Sequence, residues 1–345
     1  MLRSLIVGFG RAGRGLHLHC LRKAFADEPG ADLFDPRIGA VDPRCNLSEP
    51  MEHNLELFSS LDDVTAFDKD STVVHICTPP EQHLETLRQV AERGYTKIIM
   101  EKPLTTTLSE LKKIREVHKE FDLDLLVVAN WLSSSLTDRL YQLIQSEVYG
   151  QLRHVTAIQN KSRLSRTLAN QSHGNAFDVE IPHLVALIMF LGGTKVEVVT
   201  AEADDMHIDD RIIPGMGRAH LSLLHRNGLT SELLSDLEAP VRQRCIHLYF
   251  DQYRVVGYYP SGQDDSYSRI RIYSAEGHLI SQQVMYDDPL TSVFTEYYQY
   301  YAGHCGKPIS DMEFNAAVIA AIHQAKAKSG LILEEKNHFS HEVIV

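Results

Sequence analysis

The sequence predicts two domains: an N-terminal α/β domain built on a parallel sheet, and a C-terminal α+β domain built on a mostly antiparallel sheet. The chain has 345 residues, and one hydrophobic core rarely serves a chain of that length. Up to Gly150, short apolar runs alternate with amphipathic stretches, which is the pattern of βαβ units. After Gly150, apolar and polar residues alternate one by one, as in half-buried strands.

The first domain is predicted to span residues 1–130. Its short apolar runs predict strands over residues 2–7, 37–41, 72–76, 96–100 and 124–129. Apolar residues at helical spacing predict helices over residues 81–93 and 109–121. A further helix over residues 135–150 ends at Gly150, a plausible stop signal. Strands that alternate with helices in this way predict a doubly wound parallel sheet.

The second domain is predicted to span residues 131–345. One-by-one alternation predicts strands over residues 154–158, 196–199, 219–224, 245–250 and 269–273. A strongly apolar helix is predicted over residues 181–191 and a last one over about 312–329, which is a candidate to pack back on the first domain. The tyrosine-rich segment 297–308 has helical spacing and indicates a core or dimer face.

Composition excludes several classes of function. The chain carries 34 Lys and Arg against 46 Asp and Glu, a formal charge of −12 that disfavours nucleic acid. No apolar run reaches the roughly 20 residues of a membrane span, and the N-terminus leaves no room for a signal peptide. The five cysteines are far apart, which predicts reduced thiols and a cytoplasmic location. The 18 histidines show no close ligand pair, so no metal site is expected.

The first predicted strand runs directly into the glycine pattern G-x-G-x-x-G. In a dinucleotide-binding turn the first glycine allows the tight turn, the second admits the pyrophosphate and the third allows close helix packing. The βαβ pattern that follows favours this interpretation over an ordinary strand-to-helix turn. The predicted phosphate-binding residues are Gly8, Phe9, Gly10, Arg11, Ala12 and Gly13.

Asp42 ends the second predicted strand and is the candidate to bind the adenosine ribose hydroxyls. It lies 29 residues after Gly13 (42 − 13) rather than about 20, and a loop insertion before residue 37 accounts for the difference. An acid here favours NAD(H). Arg44 could hold a 2′-phosphate, so NADP(H) stays open, as does a plain turn role for Asp42 before Pro43.

Two further motifs, ICTPPEQH and MEKPL, follow the third and fourth predicted strands. Both therefore lie at carboxyl ends of parallel strands, where ligands bind. Together with the glycine turn they resemble the glucose–fructose oxidoreductase, inositol dehydrogenase and rhizopine-catabolism (Gfo/Idh/MocA) family. The resemblance implies a Rossmann domain followed by a domain with a large antiparallel sheet, and nicotinamide-dependent oxidation or reduction of sugar-like molecules.

The resemblance also implies which residues of the first domain serve the cofactor. In this family the lysine of E-K-P lies beside nicotinamide and substrate, and Lys102 matches it; a cation there would stabilise developing alkoxide charge. The alternative is a solvated lysine before Pro103. Asn130 matches an asparagine near cofactor and substrate, although Trp131 and Leu132 replace the pattern that usually follows. The further cofactor-binding residues are then Thr78, Pro79, His83, Glu101, Lys102 and Asn130.

His183, in the stretch AFDVEIPHLVALIMF, matches the family's histidine in the second domain. It would exchange the proton of the substrate hydroxyl, and Asp178 or Glu180 would orient its ring. The sequence departs from the family because Ala186 replaces an aspartate and the two acids lie five and three residues before His183. A core or capping histidine is the alternative.

Lys161, Arg163 and Arg166 are candidates to bind a carboxylate or phosphate of the substrate, with a solvated basic face as the alternative. Lys102 and His183 complete the predicted substrate-binding set. The protein is expected to be an NAD(P)-dependent dehydrogenase or reductase that acts on CH–OH or C=O of a sugar, cyclitol or amino-sugar-like molecule. Of the pathways open to such an enzyme, a biosynthetic one is the preferred expectation. A non-catalytic dinucleotide-binding sensor and an enzyme with tightly held NAD stay open. The family also implies a homodimer or homotetramer formed through the C-terminal sheet.

Overall fold

The computed structural model describes residues 1–26, 32–45, 54–169, 173–262 and 265–332. The chain forms two compact units. The first contains Met1–Asn130 and Leu290–Ala316, and the second contains Trp131–Pro289 and residues from Ala317 onward. The chain therefore passes between the units three times, whereas the sequence assigned everything after residue 130 to the second domain.

The helices are α1 (Leu18–Ala26), α2 (His83–Glu92), α3 (Leu108–Glu120), α4 (Ser135–Gln145), α5 (Leu164–Ala169), α6 (Ile181–Gly192), α7 (Pro289–Tyr301) and α8 (Met312–Lys328). The helices predicted over residues 81–93, 109–121, 181–191 and 312–329 begin and end within two residues of those positions. The helix predicted over residues 135–150 ends at Gln145, and no range was predicted for α1 or α5. The side chain of Thr107 accepts a hydrogen bond from the Glu110 amide at the start of α3, and Ser134 caps α4 in the same way. No helix in the described part of the chain is long and apolar enough to cross a membrane.

The sheet of the first unit has six parallel strands in the order β3-β2-β1-β4-β5-β6. They are β1 (Leu2–Val7), β2 (Phe34–Val41), β3 (Leu55–Phe58), β4 (Thr72–Ile76), β5 (Lys97–Met100) and β6 (Asp124–Val127). This order is that of a dinucleotide-binding Rossmann sheet. The predicted fold of this domain is confirmed. The sequence missed β3 because it is a four-residue edge strand with one buried side chain.

Helix α7 completes the core of the first unit. Phe294, Tyr297 and Tyr298 are fully buried there, among side chains of β1, β2 and α1. The Tyr297 hydroxyl donates to the carbonyl of Val127 at 2.7 Å. The hydroxyl of Tyr301 donates to the Ile98 carbonyl at 2.8 Å. The predicted tyrosine-rich helix is therefore a core face, which explains why this segment belongs to the first unit although it follows the second in sequence.

The second unit contains an eight-stranded sheet in the order β16-β15-β14-β13-β7-β12-β11-β8, in which only β7 and β12 pair in parallel. The strands of this unit are β7 (Leu152–Asn160), β8 (Val196–Ala203), β9 (Met206–Ile208), β10 (Arg211–Ile213), β11 (Arg218–His225), β12 (Thr230–Asp236), β13 (Gln243–Phe250), β14 (Tyr253–Tyr258), β15 (Tyr267–Ser274) and β16 (Leu279–Tyr286). The short strands β9 and β10 form a separate hairpin. The predicted large, mostly antiparallel sheet is confirmed.

Candidate active site

The glycine turn lies at the carboxyl end of β1, in the middle of the first unit's sheet. Gly8 has φ +92°, and a Cβ there would lie 2.7 Å from the amide nitrogen of Thr78. A Cβ on Gly13 would lie 2.2 Å from the carbonyl oxygen of Gly8. These two glycines are therefore required by the protein's own packing.

Gly10 is different, because a Cβ there would meet nothing closer than Arg44 Nη2 at 3.9 Å. Its lack of a side chain leaves open space beside the turn. The helix begins at Arg11, and its first N–H groups have no partner within the helix. Open space next to helical amides fits a dinucleotide pyrophosphate. The helix then runs through a π-helical turn, Gly13–His17, into α1.

Asp42 lies immediately after β2 with its carboxylate fully engaged. The Phe9 amide donates to Oδ2 at 3.0 Å and the Arg44 amide to Oδ1 at 2.9 Å. The Arg44 guanidinium donates to both oxygens as well. Burial opposes ionisation, but these donors outweigh it and hold the pKa of Asp42 below its ordinary value. The carboxylate thus ties the glycine turn to the end of β2, and Arg44 is 82% exposed beside it.

His83 joins the two motif loops of the first unit. Its ring nitrogens lie 2.9 Å from the carbonyl oxygen of Thr78 and 3.1 Å from that of Leu104. Pro79 precedes a 3-10 turn that leads into α2, and the hydroxyl of Thr78 lies 3.3 Å from that of Thr86. Burial lowers the pKa of His83, and the two carbonyl contacts oppose that shift. A neutral ring has one N–H and donates to one of the two carbonyls at a time. It fixes the ICTPP segment against the segment after MEKP.

The MEKP segment follows β5 at the same edge of the sheet. Glu101 Oε2 accepts a hydrogen bond from the backbone amide of Lys102 at 3.0 Å. The peptide bond between Lys102 and Pro103 is cis, a point on which the sequence is silent. Lys102 is half-buried. The glycine turn, the ICTPP loop and this lysine thus follow adjacent strands β1, β4 and β5 at their carboxyl ends, where parallel sheets bind ligands.

Sequence reasoning missed a buried cluster behind Glu101, which we call the histidine chain: Ser4, Tyr298, His75, His17 and Glu101. Consecutive members lie within hydrogen-bond distance of each other. His17 lies in the stretch GLHLHC, where the sequence alone indicates a packing or surface residue of the first helix. One signal was available, because His75 interrupts the apolar strand TVVHI, and a histidine in a strand with two buried faces needs a partner.

In the second unit, His183 lies in the first turn of α6 and is half-buried; its amide donates to the Glu180 carbonyl at 3.1 Å. Glu180 Oε1 lies 3.3 Å from Lys161 Nζ, and its Oε2 accepts a hydrogen bond from Gln159. Burial lowers the pKa of Lys161, against the attraction of Glu180. The structure therefore brings together the predicted residues Lys161 and Glu180.

Asp178 forms a buried ion pair with Lys326 of α8, at 2.5 Å from Nζ to Oδ1, and both side chains are less than a tenth exposed. Arg163 is also buried, and its amide donates to the Leu237 carbonyl at 2.8 Å. Asn130 opens a 3-10 turn at the last position of the first unit. Among the residues that the structure describes, no group of three His, Cys, Asp or Glu side chains could hold a metal ion.

Comparison with known families gives the first unit its identity. Residues 2–128 match the family model described as the Gfo/Idh/MocA oxidoreductase family with an NAD-binding Rossmann fold. The N-terminal domain belongs to the Gfo/Idh/MocA family. The resemblance seen in the sequence is thereby confirmed, and with it the NAD(P)-dependent oxidoreductase class. A search of the curated proteins found no match.

Solved structures of two oxidoreductases share the fold over nearly the whole chain. A 3-ketoreductase from Actinomadura kijaniata, in complex with NADP and TDP-benzene, is 16% identical with a TM-score of 0.77, over 95% of this chain and 97% of the other. An oxidoreductase from Agrobacterium radiobacter, in complex with NAD+, L-tartaric acid and magnesium, is 14% identical with a TM-score of 0.71, over 95% and 96%. NADP and NAD+ both occur in these structures, so either dinucleotide is consistent with the predicted cofactor.

Proposed function

We propose that this chain is an NAD(P)-dependent dehydrogenase or reductase of a sugar, cyclitol or amino-sugar-like molecule, acting at a carbinol or ketone carbon. The observation that carries the proposal is the shared sheet edge of the first unit. A glycine turn with open space at Gly10 and a lysine at the E-K-P motif both follow strands at their carboxyl ends. When bound, a nicotinamide dinucleotide supplies or accepts a hydride.

Most of the predicted residues of the first unit would hold the cofactor, and Lys102 would polarise the substrate. The turn from Gly8 to Gly13 would bind the pyrophosphate, and Asp42 or Arg44 the adenosine ribose or its phosphate. Thr78, Pro79, His83, Glu101 and Asn130 would shape the nicotinamide side. Lys102 would donate a hydrogen bond to the substrate oxygen, which lowers the cost of negative charge there as the carbon changes oxidation state.

In the second unit, His183 would exchange the proton of the substrate hydroxyl. A general acid or base needs a partner that fixes its ring, and Asp178 and Glu180 are the proposed partners. Both already carry cationic neighbours, since Lys326 pairs with Asp178 and Lys161 with Glu180. Lys161 and Arg163 would then contact an anionic or hydroxyl-rich part of the substrate.

The partner and location of the protein are also proposals. NAD(H) is favoured because Asp42 occupies the ribose-binding position, with NADP(H) as the alternative through Arg44. All five cysteines are free thiols, which supports a reducing compartment such as the cytoplasm. A homodimer or homotetramer through the eight-stranded sheet is supported by the exposed apolar side chains of β16.

The test is a pair of measurements on the purified full chain. Binding of NADH and NADPH is followed by fluorescence, and turnover is followed by nicotinamide absorbance with a panel of inositols, aldoses, ketosugars and amino-sugar ketones. Lys102→Ala should keep the binding constant within a few fold and lose at least about 100-fold in turnover. Lys113→Ala is the matched control, because Lys113 is an exposed lysine of α3.

The outcomes separate the proposal from its rivals. Failure of both dinucleotides to bind would refute it. Binding without turnover of any panel member, in wild type as in Lys102→Ala, would favour a dinucleotide-binding sensor. Cofactor that stays with the protein through purification and is not exchanged would favour an enzyme that oxidises its substrate transiently.

A further inference from the structure

We propose that His17 is a positioning residue that keeps Glu101 ionised against the Lys102 backbone and so sets the charge beside the Lys102 ammonium group. This inference rests on the proposed role of Lys102. It follows from the geometry of the histidine chain, none of whose members except Glu101 is needed for the function proposed above.

The histidine chain is closed to solvent from Ser4 to His17, and its last member, Glu101, has a side chain that is 14% exposed. Ser4, His17, His75 and Tyr298 are each at most 1% exposed. The Ser4 and Tyr298 hydroxyl oxygens are 2.5 Å apart, and the Tyr298 hydroxyl lies 2.9 Å from His75 Nε2. A chain that ends at buried Ser4 has no outlet for protons there, so its role is to orient and to fix charge.

The two histidines continue the chain to Glu101. The Nδ1 atoms of His75 and His17 are 2.9 Å apart, and His17 Nε2 lies 2.9 Å from Glu101 Oε1. The ring of Phe294 packs against both imidazoles, with centroids 4.6 Å from His17 and 5.4 Å from His75. The apolar ring excludes water from the pair and holds the two imidazoles in contact.

The direction of these hydrogen bonds follows from the protonation states of Glu101 and His75. Burial opposes ionisation of Glu101, but His17 and Lys102 outweigh it and lower its pKa. The carboxylate only accepts, so His17 Nε2–H donates to it. Burial places the pKa of His75 well below its ordinary value, so its ring is neutral. When His17 carries its ring proton on Nε2 alone, its Nδ1 accepts, so the N–H of His75 is on Nδ1 and donates to His17.

In that arrangement the other two hydrogen bonds of the chain have the same direction. The Tyr298 hydroxyl donates to His75 Nε2, and the Ser4 hydroxyl donates to the Tyr298 oxygen. Every hydrogen bond of the chain then points toward Glu101, which is how a buried carboxylate is kept charged without a buried cation. If His17 took a proton, its Nδ1–H would donate to His75 and each bond behind it would reverse.

Other titratable groups also act on Glu101, from the elements around it. These groups are Lys102 on its own segment, His83 of α2 and Cys77 after β4. Burial lowers the pKa of His83 and raises that of Cys77, so both shifts favour the uncharged forms of these two groups. His17 is therefore the side chain whose removal changes the state of Glu101 most.

The experiment measures the reactivity of Lys102 with acetic anhydride in the free protein, by mass spectrometry, at pH 8 and at pH 10.5. Only an unprotonated amine reacts, and a carboxylate within 4–6 Å changes proton affinity by about one pH unit or more. In His17→Leu, Glu101 loses its donor and takes up a proton. The Lys102 rate at pH 8 should then rise about threefold to tenfold over wild type, with little change at pH 10.5.

Two further variants keep the test decisive if His17→Leu does not fold. Glu101→Gln removes the carboxylate directly and should raise the pH 8 rate equally. His17→Gln retains a donor toward Glu101 and an acceptor toward His75, so it should match wild type. Lys113 labelling in every sample is the internal control. A Glu101→Gln rate within twofold of wild type, or a His17→Gln rate equal to that of Glu101→Gln, would overturn the inference.

The labelling needs no dinucleotide and no substrate, so it is independent of the proposed function. If Lys102 responds as expected but no substrate turns over, the positioning of Glu101 stands and the proposed reaction fails. If turnover depends on Lys102 but labelling is indifferent to His17 and Glu101, the reaction stands and the positioning role is refuted.

Discussion

The Arg44 guanidinium donates two hydrogen bonds to the Asp42 carboxylate, from Nε to Oδ1 at 3.2 Å and from Nη2 to Oδ2 at 3.3 Å. The position that would bind the adenosine ribose thus holds an acid and its own counter-ion. Because Arg44 is mostly exposed while Asp42 is buried, the arginine can leave the pair more easily than the acid. The pair therefore bears on the choice between NAD and NADP.

We predict that Arg44→Ala weakens NADPH binding about tenfold or more and changes NADH binding much less, because a guanidinium supplies the bidentate phosphate contact. Fluorescence titration with each dinucleotide measures the ratio. The matched control is Arg37→Ala, since Arg37 makes the same paired contact to Asp35 near the start of β2. Equal losses for both dinucleotides in Arg44→Ala would contradict the assignment.

The Asp35 and Arg37 pair gives a prediction on pH and stability. Burial opposes ionisation of Asp35, but hydrogen bonds from Arg37 and Arg3 bring its pKa to about 2. A folded-state pKa below the unfolded value stabilises the protein above about pH 4, and the contribution disappears as pH falls through 2. Arg37 is half exposed, so solvent screens the pair and Arg37→Ala should lower the free energy of unfolding only slightly at pH 6.

Urea unfolding of wild type and Arg37→Ala at pH 6, 4 and 2.5 measures that difference. The gap between the two proteins should shrink steadily toward low pH. A gap that stays constant over this range would show that Arg37 acts through packing of its aliphatic chain rather than through the charge of Asp35.

Two glycines of the turn, Gly10 and Gly13, should separate folding from binding. Gly13→Ala places a methyl 2.2 Å from the Gly8 carbonyl oxygen and 2.9 Å from a methyl of Ile6, so it should cost about 2 kcal/mol or more in unfolding free energy. Gly10→Ala meets no atom of the chain within 3.9 Å and should leave Tm nearly unchanged. It should nevertheless weaken binding of both dinucleotides at least tenfold, because the methyl occupies the open space.

Thermal unfolding and dinucleotide titration of Gly13→Ala and Gly10→Ala test these effects on stability and on binding. Gly15→Ala is the control for the substitution itself, since nothing lies within 4 Å of its added methyl. Unchanged binding in Gly10→Ala would place the pyrophosphate elsewhere than at this turn.

The buried pair of Lys326 and Asp178 gives a further prediction on stability. Both side chains are less than a tenth exposed, so removing one partner leaves a buried charge without its counter-ion. Lys326→Met should therefore cost about 3 kcal/mol or more in unfolding free energy. The double variant Lys326→Met with Asp178→Asn should recover much of that loss. Urea unfolding of the four proteins measures the coupling, and additive losses would show that the two groups act independently.

Burial makes a pattern in several of the strands that were predicted, although β12, whose burial also alternates, was missed. β1 has a continuous buried run that ends at Gly8, and β7 alternates side chain by side chain, so both were found. β16 was missed because nearly all its residues are exposed, apolar ones included. A strand whose apolar groups face solvent in the single chain has no period for the sequence to show.

Some parts of the candidate site could be predicted from the sequence and others could not. Motifs that are local in sequence, such as the glycine turn and MEKP, could be predicted because their spacing carries the chemistry. The histidine chain could not, since Ser4, His75 and Tyr298 are up to 294 residues apart and meet only through strand order and the return of α7 to the first unit. Contacts across such separations are fixed by topology, which no local pattern encodes.

The exposed face of β16 leads to the last prediction. Val284 and Tyr286 are each more than half exposed, and they lie two residues apart on β16, so they lie on one face of the strand. An apolar face at the edge of a large sheet is typical of a subunit interface. Val284→Asp should therefore shift the protein to a smaller oligomer in light scattering after gel filtration. Val241→Asp, at an apolar residue that is 74% exposed outside the sheet, should leave the mass unchanged; equal masses for wild type and Val284→Asp would place the interface elsewhere.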